Sequence, residues 1–173
     1  RPEEIPVRIL RGAKGLQLDI TKCILDITEG AVDIMAGYPV EVAGHAFRIT
    51  CVSMGNPHAV AFLDEPVAQV PLHVVGPLME HHSMFPQRVN FHVANVLGRD
   101  RLQARTWERG AGLTLACGTG ACAIQAASRL LGLTDERVDI QMPGGVLTVT
   151  WAGRGPVYME GPAEEVFEGE WRG

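Results

Sequence analysis

Apolar and polar positions alternate along this chain in short stretches punctuated by glycine and proline. Residues 16–20, 23–27, 46–52, 59–63 and 89–96 follow a period of two, the spacing that gives a pleated strand one buried and one exposed face. The second half repeats the pattern at 101–107, 138–142, 146–151 and 157–159, with a further short stretch at 165–167. Several of these are joined by glycine-containing links of hairpin length. Two segments depart from it. Residues 70–81 carry helical spacing, but Pro71 and Pro77 restrict them to a short or broken helix. Residues 121–131 are small or apolar almost throughout and stop at Gly132, so they predict a helix buried on every side. The fold class expected is α+β, a largely antiparallel β-sheet wrapped around a central α-helix.

Composition narrows what such a domain can do. With 173 residues, 46% of them hydrophobic, the chain can build a proper core. No apolar run reaches the roughly 18 residues of a membrane span, and the opening Arg1-Pro2-Glu3-Glu4 lacks the apolar stretch of a signal peptide. A soluble, cytoplasmic protein is the expectation. The net charge of −5, without clustered Lys and Arg, leaves no footprint for nucleic acid and favours small-molecule partners. Cys23, Cys51, Cys117 and Cys122 match no zinc spacing, and a chain of this size needs no disulfide staples. Reduced thiols are expected. The first residue is Arg, so the chain is expected to derive from something longer.

Candidate chemistry gathers in four places. The turn Cys117-Gly118-Thr119-Gly120 directly precedes the buried helix, where free backbone N–H groups and the helix dipole favour an anion. A cysteine there is expected to ionise below its usual pKa of about 8.5, although a small apolar N-terminal packing residue would fit the position equally well. Trp107-Glu108-Arg109-Gly110 closes a strand with a carboxylate and a guanidinium. Ser53-Met54-Gly55-Asn56-Pro57-His58 ends a strand in a tight turn, and turn chemistry accounts for all but His58. Asn90 lies in an otherwise apolar strand, where its amide needs a ligand or a hydrogen-bond network.

These four motifs, taken in order with Phe85-Pro86 and Ala121-Cys122-Ala123, closely resemble diaminopimelate epimerase. The resemblance runs from about Ser53 to the end, and more loosely from Leu16. It implies two similar α/β domains facing each other across a cleft, each presenting one cysteine at a helix N-terminus. One thiolate removes the substrate's α-proton and the opposite thiol returns one, converting LL- to meso-diaminopimelate without pyridoxal phosphate or metal. Carried over by position, Cys117 matches one acid/base, and the backbone of Gly118 and Thr119 matches the carboxylate cradle. Asn56, Asn90 and Arg109 match residues that hold the non-reacting end of the substrate, where a guanidinium fork suits a carboxylate. Glu108 matches a ligand of the distal ammonium, and Glu108 with His58 is expected to adjust the thiol's ionisation. Cys23, Cys51 and Cys122 are assigned to the core.

The family's other catalytic motif, of Cys-Gly-Asn-Gly type, occurs nowhere in the chain. Residues 1–173 therefore read as the C-terminal domain with its tail, the N-terminal catalytic half being absent and the chain alone inactive. Homodimerisation is implied by the resemblance alone. Ala59 stands where the family often has Cys, and Thr119 replaces Ser but keeps the hydroxyl. Three rival readings exist: a proline-type cysteine racemase, a non-catalytic carboxylate-binding domain, and a cysteine hydrolase with His58 as base to Cys117.

Overall fold

The computed structural model describes residues 8–9 and 36–162. The stretches expected at 16–20, 23–27 and 165–167, and Cys23, lie outside the described residues. In chain order the elements are β1 (Arg8–Ile9), β2 (Tyr38–Val42), β3 (His45–Ser53), β4 (Pro57–Phe62), α1 (Leu72–Glu80) and β5 (Asn90–Gly98). Then come β6 (Arg101–Glu108), β7 (Gly112–Thr114), α2 (Gly118–Leu130), β8 (Arg137–Met142), β9 (Gly145–Thr150) and β10 (Tyr158–Glu160). Strands dominate, as the alternation predicts. Strand β2 went unpredicted because it carries Pro39, which has no ladder donor, and β7 because its three residues open on Gly112 at φ 80°.

All ten strands form one mixed sheet, ordered β1-β3-β4-β5-β6-β8-β9-β10, with β2 on β3 and β7 on β6. Two pairings are parallel, β4 with β5 and β6 with β8, and the remaining seven are antiparallel. Each parallel pair requires a crossover, and α1 and α2 are those crossovers. Because β5 runs antiparallel to β6, two crossovers of the same hand moving the same way along the sheet must cover opposite faces. Strand alternation delivers a core to each. Ile49, Cys51, Ala59, Ala61, Phe91 and Val93 face α1 with Leu72, Val75 and Met79. Val52, Val60, Ala94, Leu102 and Ala104 join α2 on the other side, together with Val138, Ile140 and Val149.

Helix α2 is buried continuously from Gly120 to Ser128, as its apolar composition predicts, and it packs against β3, β4, β5, β9 and β10. Gln125 is its one long polar residue inside. It is satisfied by donating from Nε2 to the carbonyls of Asp135 and Glu136, each at 2.9 Å. Helix α1 carries Pro77 in its interior, which removes a main-chain donor and confines the helix to nine residues. Gly76 lets it approach the sheet: a Cβ there would stand 2.5 Å from Trp107 Cδ2. This contact holds α1 against the strand that ends in Glu108 and Arg109.

Candidate active site

Strand β7 leads through Leu115 and Ala116 to Cys117, which adopts an extended backbone (φ −142°, ψ 110°) and caps α2. Its sulfur accepts the Gly120 N–H at 3.3 Å, the place a Ser or Asp oxygen usually takes. Ala121 N–H is closed on the Cys117 carbonyl at 2.8 Å. Of the first four helix donors, those of Gly118 and Thr119 thus remain without an acceptor among the described residues, beside the sulfur and at the positive end of a 13-residue helix. Gly120 is required by crowding. An added Cβ would fall 2.5 Å from His92 Cε1 and 3.0 Å from Cys117 Sγ. Gly120→Ala is expected to cost about 1–3 kcal/mol of stability through overpacking, measured as a lowered urea midpoint. An unchanged midpoint would show that His92 does not pack beneath the turn.

The thiol's ionisation runs opposite to the expectation from the helix terminus. Burial, the largest influence, pushes the Cys117 pKa up, because the side chain is packed and the charged sulfur would lose its water. The Gly120 N–H and the Thr119 hydroxyl pull it down, whereas the neighbouring Glu108 carboxylate adds to the rise. In this chain by itself the group at rest is a thiol. Cys51 and Cys122, both free and buried, are also raised by burial, to about 12 and about 11.

His58 does not reach the sulfur. It is fully buried, and its ring nitrogens are engaged with Asn56 Oδ1 and His92 Nε2, each at 2.8 Å. The hydrolase arrangement, with His58 as a base bonded to Cys117, is therefore not formed. Burial, aided by the Arg109 charge, lowers the His58 pKa to about 3, so the ring is neutral. The path to the thiol is indirect: Asn56 Nδ2 donates to Thr119 Oγ1 at 3.5 Å, and that hydroxyl lies 3.8 Å from Cys117 Sγ.

Asn90 is satisfied by a network within the chain. Its Nδ2 donates to the Pro57 carbonyl at 2.8 Å and its Oδ1 accepts the Arg109 N–H at 2.9 Å. One amide thereby joins the turn bearing Asn56 to the strand end bearing Glu108 and Arg109. Arg109 is exposed and its Nη1 donates to the Gln87 carbonyl at 2.9 Å. Glu108, half-buried, sits beside the thiol. Among the described residues no three His, Cys, Asp or Glu side chains converge as metal ligands. Cavities of about 400 and 510 Å³ are lined by residues such as Phe47 and Pro71, or Phe62 and Asn95, and include none of the candidate side chains.

Two residues of this region escaped the sequence reading. Glu80 is buried at the end of α1, where Oε2 accepts Trp107 Nε1–H at 2.8 Å and Oε1 accepts the Gly110 N–H at 3.0 Å. It pins both ends of Trp107-Glu108-Arg109-Gly110. Its signal was available: Leu72, Val75, Gly76 and Met79 define the buried face, and Glu80 falls on the same face eight residues after Leu72. The other is His92, a polar residue two positions after Asn90 in the same apolar strand, to which the reasoning used for Asn90 applies equally.

A helix-capping thiol beside N–H groups unpaired among the described residues, with a carboxylate and a guanidinium at an adjoining strand end, defines a cysteine site shaped for an anionic group. The sequence matches the family description "Diaminopimelate epimerase" over residues 50–166, and the chain belongs to that family. It is 48% identical over 144 residues to diaminopimelate epimerase of Microcystis aeruginosa, covering 83% of this chain and 50% of the relative. With that of Acetivibrio thermocellus it shares 50% over 139 residues, covering 80% and 49%. The chain spans about half the length of the curated relatives it matches. A phenazine biosynthesis protein of Bacillus anthracis, at 17% identity and a TM-score of 0.43 over 57% of this chain and 31% of its own, is too distant to bear on the site.

Proposed function

We propose that this chain is one wall of the cleft of an epimerase converting LL-diaminopimelate to meso-diaminopimelate, with Cys117 as one of two acid/base groups. The observation that carries this is that the Cys117 sulfur and the Gly118 and Thr119 N–H groups, without an acceptor among the described residues, share a single helix terminus. An amino-acid α-proton is a very weak acid. Donors preorganised on the carboxylate where negative charge develops lower the barrier to removing it, and a thiol on the adjoining face can take or return the proton. In this reading Gly118 and Thr119 hold the carboxylate at the reacting carbon. Arg109, Asn56 and Asn90 form and brace the pocket for the distal end, and Glu108 receives the distal ammonium. His58 acts on the thiol through Asn56 and Thr119.

The second base belongs to an N-terminal domain of the complete protein, residues 1–173 being its C-terminal domain, in which the sheet curls around α2. Two features support a missing wall. The chain is half the length of its relatives, and the surroundings of the thiol leave apolar groups uncovered: Leu115 is 70% exposed and Met159, which touches Gly118, 44%. Closing the two walls would expel water, which strengthens the electrostatics inside. The complete enzyme would work without cofactor, as a cytoplasmic homodimer, in the supply of lysine and peptidoglycan precursors. Among the described residues no helix is long and apolar enough to cross a membrane.

The test separates the wall from the whole. The purified chain is expected to show no epimerisation of LL-diaminopimelate, and a complete protein carrying both walls to show it, with no activity on proline. Turnover by the chain alone, or inversion of proline by the complete protein, would overturn the proposal.

A further inference from the structure

Beneath the thiol lies a continuous line of polar side chains, half-buried at Thr119 and Asn56 and fully buried beyond them. Thr106 Oγ1 is 3.0 Å from His92 Nδ1, His92 Nε2 is 2.8 Å from His58 Nδ1, and His58 Nε2 is 2.8 Å from Asn56 Oδ1. Asn56 Nδ2 then meets Thr119 Oγ1, which faces Cys117 Sγ. The sheet builds this line. His92 stands opposite Thr106 in the β5–β6 register, and β4 and β5 run side by side in parallel, His58 opposite Asn90. His58, His92 and Thr106 are all at most 1% exposed, so none of them can exchange its partner for water.

With both rings neutral and the Asn56 oxygen toward His58, only one placement of hydrogens satisfies the contacts from Thr106 to Thr119. Thr106 donates its hydroxyl to His92 Nδ1, and His92 donates from Nε2 to His58 Nδ1. His58 donates from Nε2 to Asn56, whose Nδ2 donates to Thr119. The Thr119 oxygen accepts there, and toward a thiolate, which has no hydrogen to give, its own hydrogen is the donor to the Cys117 sulfur. Every donor points the same way, and chains of this kind strengthen one another.

We infer that His92 and Thr106 are positioning residues for Cys117: through the His58 tautomer and the Asn56 amide they aim the Thr119 hydroxyl hydrogen at the sulfur. The line opposes the burial that disfavours the thiolate. A second, independent contact ties His92 to the same turn, since its Cε1 occupies the space beneath Gly120. The inference rests on the epimerase reading only for its purpose; the arrangement of hydrogens stands without it.

The experiment uses the full chain, labelled with ¹⁵N, and reads imidazole tautomers from two-bond proton–nitrogen correlations at neutral pH. Both His58 and His92 are expected as Nε2–H tautomers; an Nδ1–H tautomer at either ring overturns the inference. Thr106→Val keeps the shape but removes the first donor. It is expected to leave His92 as the Nε2–H tautomer, which His58 and Asn56 still require, but to weaken the line and so slow iodoacetamide alkylation of Cys117, followed by peptide mass spectrometry, about three- to tenfold. Thr106→Ser restores the donor and the wild-type rate. Should Thr106→Val fold poorly, His92→Gln, which keeps an amide donor toward His58, and His92→Phe, which keeps none, make the same comparison. A purely structural role would lower melting temperature while leaving the alkylation rate unchanged, and that result also overturns it. None of these readouts needs substrate, so failure of the epimerase reading is seen separately, as absent turnover in the complete protein.

Discussion

Replacing Cys117 with alanine in the complete protein is expected to reduce kcat for epimerisation by about 10²–10⁴-fold, the range in which a positioned acid/base contributes. The Gly118 and Thr119 donors belong to the backbone and survive the substitution, so KM should change little. Stability should fall only by the cost of a lost helix cap, about 1 kcal/mol, because the sulfur accepts a single N–H, that of Gly120. Cys117→Ser separates the two roles. A hydroxyl can cap the helix as the thiol does, so stability should return toward wild type while kcat stays low, a hydroxyl being far too weak an acid to cycle through its anion near neutral pH. Steady-state kinetics with urea denaturation of each variant checks the pattern. Were Cys117 merely packing, kcat would survive both substitutions.

Mild acid is expected to destabilise the chain more than its carboxylates alone would. His58 titrates near 3 in the folded chain against 6.5 unfolded, and His92 is lowered well below 6.5 as well, both chiefly by burial. With folded pKa values depressed, the unfolded state binds protons first. The contribution to stability is complete above 6.5 and is lost as pH falls from there toward the folded values. Each unit of pH in that window costs about 1.4 kcal/mol for His58, so the step from 6.5 to about 5 removes about 2 kcal/mol, and His92 adds to the loss in the same direction. That is a sizeable part of the 5–15 kcal/mol typical of a domain. Urea unfolding at about pH 7 and about pH 5 measures the loss, and His92→Phe should reduce it. Equal stability at the two values would mean that the pair is not held neutral.

How far this site could be read from the residues depends on what kind of signal each residue leaves. Strands β3 to β6 and the helix α2 were legible because one face of each packs on a core, and that burial imposes period two or an all-apolar run. The turn Cys117-Gly118-Thr119-Gly120 was legible because it directly precedes the apolar run of α2, where free helix N–H groups gather. What stayed hidden is pairing across the sheet. Nothing in the order of residues says that His58 stands two strands from Thr106 with His92 between them, or that Glu80 reaches Trp107 and Gly110. The direction of the Cys117 pKa shift was hidden for the same reason. A helix terminus is visible in the sequence and favours the thiolate, but burial depends on strands far along the chain, and burial is the larger effect.

The central claim, that Cys117 is one of two opposed bases, is tested most directly by α-proton exchange in D₂O with Cys117→Ala in the complete protein. With one base gone, the remaining base still faces one epimer. Exchange with retention is predicted for that epimer, while inversion and exchange at the other epimer fall by the same factor as kcat, about 10²–10⁴-fold. Inversion keeping pace with exchange, or equal exchange at both epimers, would contradict the account.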